Sequence, residues 1–382
     1  MTAERTAIRR RLAIRRTADR PPWRGRQAGH RSIVAPLAAT LAASLAATVF
    51  VGVGAALAKA ERDRRSDKQR RRERKLGLRR GEPVAAGLRR MALAQADLAI
   101  ESLEGGRHTN RKGGGGAPNA DAVHESRKAL KRLRALLRLL GDDLGEQVYE
   151  RENAALRDVG RRLAGVRDAE VMLTTLDTLV ARHRGKLSDR PGVRRLRSAL
   201  VTEQERMRRQ TLGDPATLAV VLGELRAFRA RAFAWSLSDR RGIELVQDDL
   251  KRLYGQGRRR RRRAAARDGR DMHAMHQWRK RVKDLRYGAE MLNRPGLARR
   301  ADDLGETLGE DHDLAVLARL IEADTQGPAA QAHLGRGTRN LLGKLIAQRR
   351  RKLQRRALKE GKRLYRRKPK QFALRARKLS PR

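Results

Sequence analysis

A duplicated stretch constrains this chain more than any other feature. His124-Glu-Ser-Arg127-Lys128-Ala-Leu-Lys131-Arg132-Leu-Arg134 returns 152 residues later as His276-Gln-Trp-Arg279-Lys280-Arg-Val-Lys283-Asp-Leu-Arg286. Histidine, arginine, lysine, lysine and arginine hold the same five places in both copies. A second pair follows in the same order: Val159-Gly160-Arg-Arg-Leu163-Ala-Gly-Val-Arg167-Asp168-Ala-Glu-Val171 aligns with Leu304-Gly305-Glu-Thr-Leu308-Gly-Glu-Asp-His312-Asp313-Leu-Ala-Val316, offset by 145. Two elements in one order at near-equal offsets mark a duplicated unit. From Val84 onward leucine and alanine recur at helical spacing, and no stretch has the β-branched alternation of a strand. The fold class is therefore all-α.

Helix geometry gives the repeated element a meaning. At about 100° per residue its five shared positions fall within an arc of about 120°, so one imidazole and four cations share a face. The opposite face is apolar: Val123, Leu130, Leu133, Leu137 and Leu140 in the first copy, Val282, Leu285 and Leu292 in the second. Trp278, pointing away from the cations, is expected in the core. Like charges at i,i+3 and i,i+4 destabilise a helix by a few tenths of a kcal/mol per pair. A face that carries them twice calls for a compensating anion. That anion is either a ligand or the carboxylates at hand, Asp142, Asp143, Asp168, Asp302, Asp303 and Asp313. The isolated His30, His108, His183 and His333 carry no such pattern.

Charge points the same way. The net charge is +49, which favours a polyanionic partner, but residues 1 to 81 hold +16 of it and residues 344 to 382 hold +17. The middle keeps +16 with mixed signs and the periodicity of a folded domain. Loop signals at Gly105 to Pro118, Ser188 to Gly192, Gly213 to Pro215, Ser236 to Gly242, Gly255 to Gly269, Asn293 to Gly296 and Gly327 to Gly337 divide it into helices of about 15 to 30 residues, the lengths of antiparallel bundles. Six arginines, Arg258 to Arg263, are expected at a loop-to-helix entry. They and the tail from Lys344 supply non-specific attraction.

The chain has no cysteine and eleven aromatic residues. Disulfide frameworks and cysteine metal sites are excluded, and the aromatic platforms on which bases stack are not evident. No G-x-x-x-x-G-K-[ST], no H-E-x-x-H and no carboxylate pair with metal-ligand spacing occurs; Glu203-Gln-Glu205-Arg-Met207 lacks the lysine of an E-x-E-x-K motif. The expectation is a non-catalytic binder with no catalytic residue, metal or cofactor.

The N-terminal part reads differently. Residues 1–31 form a basic extension with ten arginines, residues 32–58 run from Ser32 to Ala58 without a charge, and residues 59–82 are a basic, solvated linker. The uncharged run is long enough to span a bilayer. Its alanine content, Pro36, Gly52 and Gly54 weaken that reading, and a cleaved signal sequence ending at Ala58 or an unstructured extension compete with it.

The duplicated residues resemble the CHAD family, the conserved-histidine α-helical domain. H-x-x-R-K-x-x-K-x-x-R occurs twice, R/H-D-x-x-V follows each copy, and Leu364-Tyr365-Arg-Arg-Lys368-Pro369-Lys-Gln-Phe372 is similar to the family's L-Y-x-x-K-P-x-x-F signature. The resemblance covers residues 83–379, with one repeat at about 83–235 and another at about 243–379. It implies two four-helix units related by a pseudo-two-fold, their basic faces lining a shared groove. It also implies binding of inorganic polyphosphate, with association with polyphosphate granules in the cytoplasm; tethering to a membrane rests instead on the uncharged run from Ser32 to Ala58, outside the resemblance. Its ligands by position are His124, Arg127, Lys128, Lys131 and Arg134 with His276, Arg279, Lys280, Lys283 and Arg286. Non-specific nucleic-acid binding through the basic flanks is the alternative, and a polyphosphate-processing enzyme a third reading.

Overall fold

Helix is the only regular structure among the described residues of this computed structural model, which are 77–79, 81–105, 120–237, 243–323 and 327–372. All belong to one unit, Arg70–Arg382. The order is α1 Val84–Gly105, α2 Ala120–Leu144, α3 Glu146–Arg162, α4 Ala164–Arg182, the single turn α5 Arg184–Leu187, α6 Pro191–Leu212, α7 Pro215–Phe233, α8 Ile243–Ala265, α9 Met272–Met291, α10 Pro295–Ala323, the single turn α11 Pro328–Gln331 and α12 Arg336–Leu364. Prolines open α6 and α7, where a missing N–H costs nothing. Asp214 caps α7 by accepting from the N–H groups of Ala216 and Thr217 at 3.0 and 3.1 Å. Asp271 does the same for α9 through Ala274 N at 3.0 Å.

Contacts close two rings of helices. In the first half α1 packs on α2, α2 on α3, α3 on α7 and α7 on α1; in the second, α8, α9, α10 and α12 follow in the same order. The halves differ in continuity. The span that is unbroken in α10 and α12, 29 residues each, is interrupted in the first half at Leu163, between α3 and α4, and at Gly213, between α6 and α7. These breaks free α4 and α6 to pack on each other, and α4 also packs on α10.

The apolar side chains consequently form two cores that both mix the halves. The larger joins α1, α2, α3 and α7 to α8, α9, the first half of α10 and the end of α12. The smaller joins α4 and α6 to Leu314, Leu317 and Ile321 of α10 and Leu342, Leu345 and Ile346 of α12. All eight apolar residues opposite the cationic faces are buried, and Trp278 has no exposed surface.

Two sequence expectations are corrected here. Gly255 and Gly257 do not open a loop, because α8 continues through them and through all six arginines to Ala265. Both glycines serve packing: Tyr365 lies against Gly257 in the space a Cβ would need, and Pro369 lies beside Gly255. Tyr254 of α8 stacks on Phe372 with centroids 4.1 Å apart, and its hydroxyl donates to the carbonyls of Leu364 and Arg367, each at 3.2 Å. The C-terminal signature is thus a clamp onto α8. The second correction concerns the end of the basic linker. Leu78 packs against the larger core, its N–H donates to Met291 O at 2.9 Å, and Arg90 holds Gly77 O at 3.0 Å and Glu82 at 2.7 Å. Residues 1–76, including the uncharged run, lie outside the described residues; no described helix is long and apolar enough to cross a membrane.

Trp278 lies in the space that a Cβ at Gly361 would occupy. Gly361→Ala should therefore cost about 1–3 kcal/mol through overpacking of a buried ring, read as a lowered midpoint in urea or thermal unfolding. Full stability would mean that α12 stands further from α9.

Candidate functional site

The two cationic faces lie on α2 and α9, which pack on each other. Their meeting is fixed by the sides of the helices that the core does not take. Arg138 of α2 pairs with Asp284 of α9 at 3.1 Å, and Arg132, 3% exposed, approaches Glu290 at 3.8 Å. With α2 and α9 so held, the middle of one motif faces the middle of the other. Lys131 is acted on by Arg127, Arg167 and, across the interface, Arg279. Lys283 is acted on by Arg279, Arg286 and, across the interface, Lys131.

These charges change one another. Burial, and then the neighbouring cations, lower the Lys131 ammonium to about 8 and the Lys283 ammonium to about 7. Lys131 and His124 still meet solvent, while protein surrounds them on their other sides, the environment of a groove wall. Burial leads the lowering of His124 too, with Arg167 next.

The second copy is the deeper. His276 of α9 and His312 of α10 lie with ring centroids 4.5 Å apart, and burial, with Arg279 and Lys283 near both rings and Lys280 near His276, brings each to about 4. Both are neutral at pH 7. The buried Nδ1 atoms of both rings and the buried Nε of Arg279 have no hydrogen-bond partner, which in a folded interior asks for an explanation. A site that waits for an acceptor supplies one for the arginine, and for either ring once protonated.

Opening from this face is a cleft of about 390 Å³ between α4, α9, α10 and α12, lined by Arg279, Lys283 and Asp313 among others. Asp313 is half-buried there; burial pushes its carboxyl up, against Arg279, Lys283, Arg167 and Lys131, which pull it down. Asp168, at the matching place in the first copy, lies 3.6 Å from Arg127 and is 71% exposed.

The ten sequence-derived residues divide accordingly. Arg127, Lys131, Arg279 and Lys283 converge, His124 and His276 flank them, and Lys128 and Lys280 lie on the same helix faces. The arginines at the far end of each motif also have protein partners, and Arg286 lines the cleft. Arg134 donates to Asn153 at 3.0 Å, and Arg286 is held by Glu290 at 2.7 Å and by Asp302. Sequence reasoning left out Arg167, His312, Asp168 and Asp313, although the repeated R/H-D element already displayed them. It also gave no sign that Leu163 would break the helix, which frees its carbonyl to accept from Arg127 Nη1 at 2.8 Å and aims that guanidinium at the groove. Among the described residues no cluster of three or more histidines and carboxylates could hold a metal ion.

Comparison with known proteins is consistent with this geometry. The CHAD domain profile matches residues 108–322, more than half of the chain. The crystal structure of the CHAD domain from the plant Ricinus communis is similar in fold, at 19% identity and a TM-score of 0.50, over 71% of this chain and 91% of that one. PptA from Streptomyces chartreusis shares 19% identity at a TM-score of 0.49, over 77% of this chain and 100% of that one. No curated protein matches the sequence. On the profile match and the duplicated histidine motifs that lie inside it, the chain belongs to the CHAD domain family.

Proposed function

We propose that this chain binds inorganic polyphosphate and does not turn it over, and that the bound polymer recruits it to polyphosphate granules. The carrying observation is that Lys131 of one motif acts on Arg279 and Lys283 of the other across α2 and α9, with Arg127 beside Lys131 on its own helix. A row of cations from two helices suits a linear chain of phosphates, with arginine gripping two oxygens and lysine acting as a mobile point charge. Two features separate this from base-reading nucleic-acid recognition. The large aromatics close to the site, Trp278 and Tyr287, are buried and present no face for stacking. Arg279 and Lys283 line a cleft of about 390 Å³ rather than standing on an open ridge.

Binding should also move protons. Phosphates favour the charged forms of Lys283, Lys131, His276 and His312, raising pKa values that the empty groove depresses. Protonation then favours binding, and affinity for long-chain polyphosphate should rise as pH falls from about 9 to about 5. Titration calorimetry at pH 7.5 in two buffers of different ionisation enthalpy should show net proton uptake; proton release would contradict the assignment of the buried lysines.

Replacing Lys128, Lys131, Lys280 and Lys283 by methionine should lower affinity at least roughly 100-fold, given about 1.5–3 kcal/mol per charged hydrogen bond, with the helical circular-dichroism signal retained. Long-chain polyphosphate should displace labelled DNA at equal phosphate concentration, and incubation with Mg²⁺ should release no phosphate. An unchanged affinity of the quadruple variant would move the site to the basic flanks. Phosphate release would make the protein an enzyme.

A further inference from the structure

The groove contains acids as well as bases, and their placement is not that of ordinary surface pairing. Asp313 follows His312 and Asp168 follows Arg167, so both aspartates hold the same place in the duplicated element. Each lies against the motif cations of its own half. Asp168 stands 3.6 Å from Arg127, and Asp313 shares the wall of the 390 Å³ cleft with Arg279 and Lys283. Asp313 reaches further, for Arg167 and Lys131 of the first half also act on it. It is thus a half-buried carboxylate on which cations of both repeats act, although Arg167 also pairs with Glu170 at 2.8 Å.

We propose that Asp313, seconded by Asp168, is an internal stand-in for phosphate that sets the ligand specificity of the groove, admitting long polyanions and turning away short ones. This rests on the polyphosphate reading above and concerns its selectivity. The physical argument is one of competition. In the empty protein the carboxylate relieves the repulsion among Arg279, Lys283, Arg167 and Lys131, which would otherwise strain the α2–α9 contact. A phosphate that enters must take over those cations in the presence of a fixed negative charge. A single phosphate or a short oligophosphate brings few contacts and cannot outweigh that repulsion. A long chain engages Asp313's four partners together with the flanking residues of both motifs, so the same penalty is spread over many contacts.

The pairing predicts two effects of opposite sign from one substitution. Asp313→Asn keeps the shape and removes the charge. It should raise affinity for tripolyphosphate roughly five- to tenfold, the lower part of the range for coupling between neighbouring sites, and raise affinity for long-chain polyphosphate less. The same variant without ligand should melt at a lower temperature than the parent, because Arg279 and Lys283 have lost the carboxylate that acts on them. Asp168→Asn, at a more exposed position, should shift both quantities in the same directions by less. A residue with a merely structural role would lower affinity and stability together.

The full chain is the material, with tripolyphosphate and a long-chain polyphosphate as probes at fixed salt. If the parent binds long-chain polyphosphate and Asp313→Asn gains nothing for the short probe, or loses affinity for both, the inference fails while the binding function stands. If the parent binds neither probe, the function itself fails. Should Asp313→Asn not fold, Asp168→Asn still decides the matter: a gain for tripolyphosphate supports the filter, and unchanged or lower affinity overturns it.

Discussion

Like charges on two helices can be brought face to face only if something stronger holds those helices together, and here that is the apolar side of the same helices. Leu133, Leu136, Leu137 and Leu140 of α2 and Val282 and Leu285 of α9 are all within 1% of complete burial. Each contributes about 1.5–3 kcal/mol in removal from water, an upper range given a compact unfolded chain. Repulsion between neighbouring cations on a helix is a few tenths of a kcal/mol per pair. The balance is lopsided enough that the motif can leave its cations facing one another. Close approach at Gly288, which stands among Leu253, Leu250 and Leu139, lets α9 settle between α2 and α8.

Apolar burial is indifferent to register, and the ionic pairs supply it. Arg138–Asp284 and Arg132–Glu290 are cross-repeat pairs between little-exposed side chains, and the two acids are each shared with an arginine of α9, Arg281 at 3.2 Å and Arg286 at 2.7 Å. They fix which turn of α2 meets which turn of α9. The same economy shows at the ends of the motifs: Arg134 and Arg286 are absorbed by Asn153 and by Glu290 with Asp302.

The helical class, the motif helices and their buried faces were legible because each rests on periodicity within one segment. The loops that prolines and paired glycines announce, at Gly213 to Pro215 and Asn293 to Gly296, were legible for the same reason. What could not be read depended on partners distant in the chain. Gly255 and Gly257 look like a loop until Pro369 and Tyr365 are seen to occupy the space above them. Leu163 carries no local signal for a break, and its carbonyl finds a use only in Arg127, 36 residues earlier. Asp313 was visible as part of a repeat, but its meaning requires the first half's Arg167 and Lys131 beside it. The helix-wheel argument gave the face on which Arg134 and Arg286 stand and not the protein partners, Asn153 and Glu290 with Asp302, that they meet there.

The two halves of the groove are also unequal in a way that the matched motifs conceal. Where the second copy has His312, the first has Arg167. An arginine is charged at every accessible pH, whereas His312 and its neighbour His276 are brought to about 4 and Lys283 to about 7. The first half therefore keeps Arg127 and Arg167 charged although Lys131 is lowered to about 8, and the second half carries less than its formal count. On the polyphosphate reading proposed above, an approaching polyanion would meet the permanent charges of Arg127 and Arg167, which face Asp168 and Glu170, and its phosphates would draw protons to Lys283, His276 and His312. The matched motifs thus differ in how much of their charge would depend on a ligand.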